Sequence, residues 1–185
     1  FADEIVGCTP FCRPENERAA IVGDLYEVDY EMLVRLQPTH VVVQLTAAGP
    51  LSELHQLAQA RGWGIGSWPV NNLDDIRAVL TQLPDLLDGQ GSQQSRELLA
   101  ALDTISASTQ RWPGRTLIVT GGQPLLAFGP DTYMGELLTG FGVPNALGSG
   151  AWRTLSAEDV VRIDPEGVIV IGAAQGPAVV TIEML

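Results

Sequence analysis

Residues 28–50 recur without a gap as residues 155–177, at an offset of 127, and nine of the 23 positions are identical. Glu31, Val34, Arg35, Pro38, Val41, Val43, Ala47, Gly49 and Pro50 are matched by Glu158, Val161, Arg162, Pro165, Val168, Val170, Ala174, Gly176 and Pro177. Each copy reads as a helix, a proline that stops it, a buried β-branched strand and a small-residue loop ending in Gly-Pro. Any two helix–strand units share the helix and the strand. They need not share Glu-x-x-Val-Arg or Gly-Pro, so the repeat reads as a duplication, and the chain must fold as two related halves.

Around the copies, short apolar runs alternate with helix-period segments. Strands are expected at residues 5–8, 40–45, 64–68, 116–120, 125–128 and 167–171. Helices are expected at 51–61, 73–87, 92–111, 132–141 and 156–163, with Asp29, Asn72 and Asp131 in N-cap positions. This alternation predicts an α/β fold of mainly parallel sheets. Residues 88–92 are rich in glycine and polar groups, and a strong helix former follows until Pro113-Gly114 stops it. The expected organisation is an N-terminal α/β lobe (1–88), a long linker helix (89–113) and a C-terminal α/β lobe (114–185), with no sheet running through both halves.

Composition narrows the function. Ten Lys plus Arg against 22 Asp plus Glu leave a net charge of −12, which argues against nucleic acid or an anionic membrane surface as the main partner. All ten cations are Arg, so there is no phosphate-loop lysine, Schiff-base lysine or Ser-Lys dyad. His40 and His55 belong to no ligand cluster, and no bare-metal site is expected. Cys8 and Cys12, spaced C-x3-C, form neither a CxxC motif nor half a zinc ribbon; they read either as two free thiols or as a disulfide in an oxidising compartment. No run of 18 apolar residues exists, and Phe1-Ala2-Asp3-Glu4 is no signal peptide. G-x-S-x-G and G-x-G-x-x-G before a helix are missing. The carboxylate neighbours Asp74-Asp75 and Glu158-Asp159 do not face each other on a helix. Neither catalytic residues nor a catalytic cofactor are expected.

What the sequence does carry is aromatic and small polar residues where strands end. Thr9 and Phe11 follow the first strand, Thr46 the second and Trp68 closes the third. Phe128 ends the fifth strand, Tyr133 opens the next helix, Trp152 precedes the last helix and Gln175 follows the last strand. Ligands of open α/β sheets bind outside the carboxyl ends of strands, and apolar walls with a few polar groups suit a small-molecule cleft. These eight residues are the expected ligand contacts, in one cleft between the lobes.

Four stretches in this order carry a family likeness. They are residues 5–12 (IVGCTPFC), residues 28–38 before Val41-Val42-Val43, residues 129–138 (GPDTYMGELL) and residues 155–165 before Val168-Ile169-Val170. The chain resembles the substrate-binding proteins of ABC importers, in the helical-backbone class that includes vitamin B12, haem and ferric-siderophore receptors. The resemblance implies two α/β lobes joined by a rigid helix. It also implies a further strand and helix before residue 1 and after residue 185, and a signal or lipid anchor upstream. In function it implies a monomeric receptor, periplasmic or otherwise extracytoplasmic, that hands a metal chelate to an ABC permease. For cobalamin, Trp68 and Trp152 would pack on the ring; for haem, Tyr133 or Met134 would be axial ligands; for an anionic ferric siderophore, Arg153 would supply charge. The resemblance further implies one surface glutamate on each lobe for docking to permease arginines, here Glu53 and Glu158. Two other classes compete with this reading. One is a small α/β enzyme domain, chelatase-like or nucleotide-sugar-like; the other is a bilobal interaction module without a ligand. An upstream signal sequence separates transport from both.

Overall fold

The computed structural model describes residues 2–10, 12, 18–24, 27–45, 51–105, 114–120, 124–171 and 181–183. In chain order the elements are β1 (Gly7–Cys8), β2 (Ala20–Ile21), α1 (Tyr30–Leu36), β3 (His40–Gln44), α2 (Ser52–Arg61), β4 (Gly64–Trp68), α3 (Leu73–Leu86) and α4 (Ser92–Asp103). They continue as β5 (Thr116–Thr120), β6 (Leu125–Phe128), α5 (Tyr133–Gly140), β7 (Trp152–Leu155), α6 (Ala157–Ile163), β8 (Gly167–Ile171) and β9 (Thr181–Glu183).

The two repeat copies coincide element by element. Helices α1 and α6 begin and end 127 residues apart, and so do strands β3 and β8. Asp29 caps α1 by accepting from Met32 N at 2.8 Å; Ser156 caps α6 by accepting from Asp159 N at 3.2 Å. Both helices end on a non-glycine residue in the left-handed region, Gln37 (φ 49°) and Asp164 (φ 48°). Their N–H groups return to Leu33 O and Val160 O, each at 3.1 Å. This local closure satisfies an otherwise orphaned carbonyl and turns the chain into the proline that follows. In the second copy Arg115 adds a cation at the helix end, donating to Ile163 O at 3.0 Å and to Asp164 O at 2.9 Å. Residues 46–50 and 172–177, the Gly-Pro ends of the copies, lie outside the described residues.

Strand pairing departs from the mainly parallel expectation in the second half. β1 pairs β2, β3 pairs β4 and β5 pairs β8, all in parallel. The five-stranded sheet runs β7-β6-β5-β8-β9, and β6, β7 and β9 join it antiparallel. For β6 the cause lies in the connection. Four residues separate β5 from β6, whereas a parallel return needs a crossover of about a dozen. Among the described residues, no sheet contains strands from both halves.

Two helix ends also differ from expectation. Thr132, not Asp131, caps α5. Helix α4 stops at Asp103, where Thr104 bonds back through its hydroxyl to Ala101 O at 2.8 Å, a side-chain bond that competes with helix continuation. Asn72 does cap α3, accepting from Asp75 N at 2.8 Å. The chain divides into two compact units: Phe1–Val70 with Arg77–Leu99, and Asn71–Ile76 with Ala100–Leu185. The first is built on Leu33, Val41 and Leu54, with Trp63 and Ile65 packed against them. The second has a core on each face of its sheet. Leu117, Val119, Ala127, Ala146 and Leu155 fill one; Ile118, Phe128 and Ile169 fill the other.

The left-handed helix ends give a stability prediction. Gln37→Gly is expected to stabilise the protein by about 0.5 kcal/mol, the left-handed penalty of a side chain less the entropy of glycine. Asp164→Gly is expected to gain less, because Asp tolerates this region. Urea unfolding of the full-length protein measures both, and a Gln37→Gly protein weaker than the parent would contradict the assignment.

Candidate functional site

In the second unit, a web of backbone bonds fixes the segment from Phe128 to Tyr133. Gly129 N donates to Ala151 O at 2.7 Å, Asp131 N to Gly150 O at 3.1 Å, and Gly150 N to the Asp131 carboxylate at 3.1 Å. Thr132, fully buried, donates from its hydroxyl to Gly129 O at 2.7 Å and accepts from Gly135 N at 3.1 Å. Asn145 Nδ2 donates to Phe128 O at 2.9 Å. A Cβ on Gly129 would meet the Gly150 and Ala151 carbonyls, and one on Gly135 would meet the Gly129 carbonyl. At both positions a side chain would force a backbone carbonyl to shift. From the other side, Tyr133 N donates to Asn71 O and Leu73 N to Glu136 Oε2, both at 2.7 Å.

This web holds three of the expected ligand residues together. The rings of Phe128 and Trp152 lie 4.4 Å apart by centroid; Tyr133 stands edge-on to both, at 6.2 Å from Phe128 and 6.3 Å from Trp152. Phe128 and Trp152 face each other across β6 and β7 in register. Exposure rises outward, from 3% at Phe128 to 40% at Trp152, with Tyr133 between. The result is an anchored aromatic wall with one open indole, suited to a flat apolar or conjugated ligand. Met134 packs on the same cluster.

Arg153 does not share this wall. Successive residues of a strand point to opposite faces, and Arg153 pairs with Ala127, which belongs to the other core. There it acts on Asp159, whose carboxyl is held below its ordinary range first by the Ser156 N–H and hydroxyl, then by Arg162 and Arg153. The cation expected to meet an anionic siderophore thus faces α6.

In the first unit, Trp68 folds back along its own strand. Its ring occupies the space that a Cβ on Gly66 would need, and its Nε1 donates to Gln82 Oε1 at 2.9 Å. Thr9 is half-buried, and its hydroxyl donates to Cys12 Sγ at 3.3 Å. Phe11, Thr46 and Gln175 lie outside the described residues. A hollow of about 560 Å³ is lined by Pro10, Ile21, Tyr30 and the four acidic residues Asp24, Glu27, Asp29 and Glu31. Burial, and then the nearby Glu53, raise the Tyr30 phenol above its ordinary value. Glu53 and Glu158 are both exposed. The Glu158 carboxyl is held below its ordinary range first by its own N–H and then by the Ser156 hydroxyl. Among the described residues, no three His, Cys, Asp or Glu side chains are placed to hold a metal ion, and no helix is long and apolar enough to cross a membrane.

Sequence reasoning misses Asn71, Thr132, Glu136 and Asn145, which support the wall. Thr132 had a local signal, three residues before Gly135. The contact of Glu136 with Leu73 spans 63 residues and left none.

The family model for "Periplasmic binding protein" matches residues 1–180. The chain belongs to the periplasmic binding protein family. No curated protein matches it. Solved structures with a similar fold include a haem complex of IsdE from S. aureus, with 20% identity, covering 92% of this chain and 70% of that one at a TM-score of 0.66. The vitamin B12 binding protein BtuF of Vibrio cholerae shares 19% identity over 82% of this chain and 61% of its own, at 0.56. The siderophore binding protein BauB, bound to acinetobactin and ferric iron, shares 17% over 85% of this chain and 57% of its own, at 0.60. This periplasmic binding protein chain thus spans about three-fifths of BtuF and BauB.

The web around Thr132 makes a specific demand. Gly135→Ala is expected to destabilise this periplasmic binding protein by about 1–3 kcal/mol, because a fixed carbonyl must move to admit the methyl group. The near-ultraviolet circular dichroism of Tyr133 and Trp152 should weaken with it. An unchanged melting point and spectrum would show that the carbonyl moves freely.

Proposed function

We propose that this protein is the substrate-binding receptor of an ABC importer, capturing a bulky metal chelate outside the cytoplasm and delivering it to a membrane permease. Membership of the periplasmic binding protein family supports the receptor role. The observation that carries the ligand class is the Phe128–Tyr133–Trp152 wall, with the indole of Trp152 40% exposed on a buried support. A wall of this kind gains most from a large conjugated surface. With Arg153 turned to the other face of β7, the wall offers no guanidinium from that strand to an anionic siderophore. A corrin or haem macrocycle fits it better, and cobalamin is the reading preferred here. Of the proteins with a similar fold, IsdE is seen in complex with haem and BtuF is named a vitamin B12 binding protein. Trp68 remains a candidate contact through the outer edge of its ring, although its N–H is committed to Gln82.

Ligand titration of the full-length protein tests this. Cyanocobalamin or haemin is expected to quench tryptophan fluorescence, and Trp152→Ala to weaken binding roughly thirtyfold, about 2 kcal/mol. Trp63 packs in the core of the first unit, so Trp63→Ala is expected to lower stability and leave affinity within about threefold. No quenching by cobalamin, haem or a ferric siderophore would sink the chelate reading.

Delivery is assigned to Glu53 on α2 and Glu158 on α6, exposed carboxylates that would meet permease arginines. Charges of this kind set orientation and association rate more than raw affinity. The double reversal Glu53→Arg/Glu158→Arg is expected to abolish uptake in cells while the ligand affinity of the purified protein stays unchanged. Normal uptake by the double variant would reject these two residues.

A further inference from the structure

We propose that Cys8 and Cys12 form a disulfide in the working protein and so close the turn that carries Thr9. The pairing rests on local geometry; the supply of oxidant rests on the extracytoplasmic reading above. Within residues 1–185 they are the two cysteines, four positions apart.

Cys8 ends β1, and its carbonyl accepts from Val22 N at 3.0 Å, so its backbone is held in the ladder. The chain turns directly after it. Cys12 N donates to Thr9 O at 3.1 Å, the closure of a four-residue turn. The Thr9 hydroxyl donates to Cys12 Sγ at 3.3 Å, which draws the second sulfur back over the residue adjoining the first. Neighbouring Cα atoms are about 3.8 Å apart, and a disulfide spans about 4.4–6.8 Å between Cα atoms. The turn holds Cys12 beside Thr9, one residue from Cys8, so closure requires drawing the two cysteines together across a single turn. The thiols already sense each other: burial first, and repulsion by Cys12 second, raise the Cys8 thiol above its ordinary value.

Exposure sets the order of events, since Cys12 is exposed and Cys8 half-buried. The Cys12 thiolate attacks one sulfur of an external disulfide, RSSR, forming a Cys12–S–S–R bond and expelling RS⁻. Cys8 then gives up its proton and attacks Cys12 Sγ, breaking that mixed bond and expelling the second RS⁻. Two protein thiols are oxidised, RSSR is reduced to two RSH, and the two cysteine protons end on the leaving thiolates. The ring formed spans five residues, with Thr9 inside it.

The test has two arms. Full-length protein recovered from cells under an alkylating agent is expected to carry no alkyl group on Cys8 or Cys12, and the peptide that holds both to weigh two hydrogens less than its reduced form. The same protein, reduced and folded, is expected to close the pair in oxidised glutathione, with a melting point roughly 4 °C or more above the reduced form. Cys8→Ser should instead hold glutathione on Cys12. Stable glutathione adducts in the parent protein, without closure, would overturn the pairing whatever the compartment. Closure in glutathione with both thiols alkylated in cells would overturn the proposal for the working protein and, with it, the extracytoplasmic reading, while leaving the ligand site untouched.

Discussion

Strand β5 is covered on both faces, with Thr116, Leu117, Ile118 and Val119 all buried. The rest of the second unit depends on that constraint. A strand buried on two sides needs a layer on each, and the alternation of its side chains divides the unit into two cores. Leu117 and Val119 face the core reached by Val160 and Ile163 of α6; Ile118 faces the core reached by Tyr133 and Met134 of α5. Register then carries the division outward through β6 to β7. Trp152 falls opposite Phe128 and joins the aromatic wall, while Arg153, one residue on, falls opposite Ala127 and joins the side of α6. The chemical character of the wall, aromatic and without the neighbouring cation, follows from pleating begun two strands away.

The repeat shows how much of this was legible beforehand. Helix, proline and strand recur at a fixed offset because their signals are local: a capping side chain, a stop, a β-branched run. The structure reproduces those bounds in both copies. Pairing direction is decided elsewhere. Residues 125–128 look like any buried strand, and only the shortness of the link from β5 forces them antiparallel. The face of Arg153 was not legible, because it depends on which residue of β6 lies opposite. Nor was the support of the wall by Asn71 and Glu136, since those contacts join segments far apart in sequence. Trp68 is an intermediate case. Gly66 two residues earlier on the same face offers the space that its ring fills, a pattern visible in Gly66-Ser67-Trp68, although the bond to Gln82 is not.

The copies also mark where local rules stop. Val34 and Val161 are identical residues in equivalent turns, yet Val34 is half-buried and Val161 is 79% exposed. Helix α1 buries Leu33 beneath it, whereas α6 buries no residue fully. The same helix-and-strand unit therefore buries its helix more deeply in one place than in the other. The capping box of α6, with Ser156 and Asp159 bonded reciprocally, and the Arg115 bonds at its far end supply locally what burial does not.

That difference bears on how the aromatic wall can work. A binding surface that must be ordered when the ligand arrives loses part of its interaction energy to the ordering, about 0.5–1.5 kcal/mol for each flexible side chain. The wall avoids most of this cost. Phe128 is buried, Tyr133 is fixed at the start of a capped helix, and the backbone between them is bonded at Gly129, Asp131, Thr132 and Gly135. Trp152 is the exception in exposure but not in order, because its ring already rests on Phe128 and its strand is paired through four registered positions. In the proposed role, a ligand stacked on that indole would cover apolar surface without first having to arrange it. The two glycines that permit this arrangement, Gly129 and Gly135, let the chain segments approach closely enough for the rings to meet.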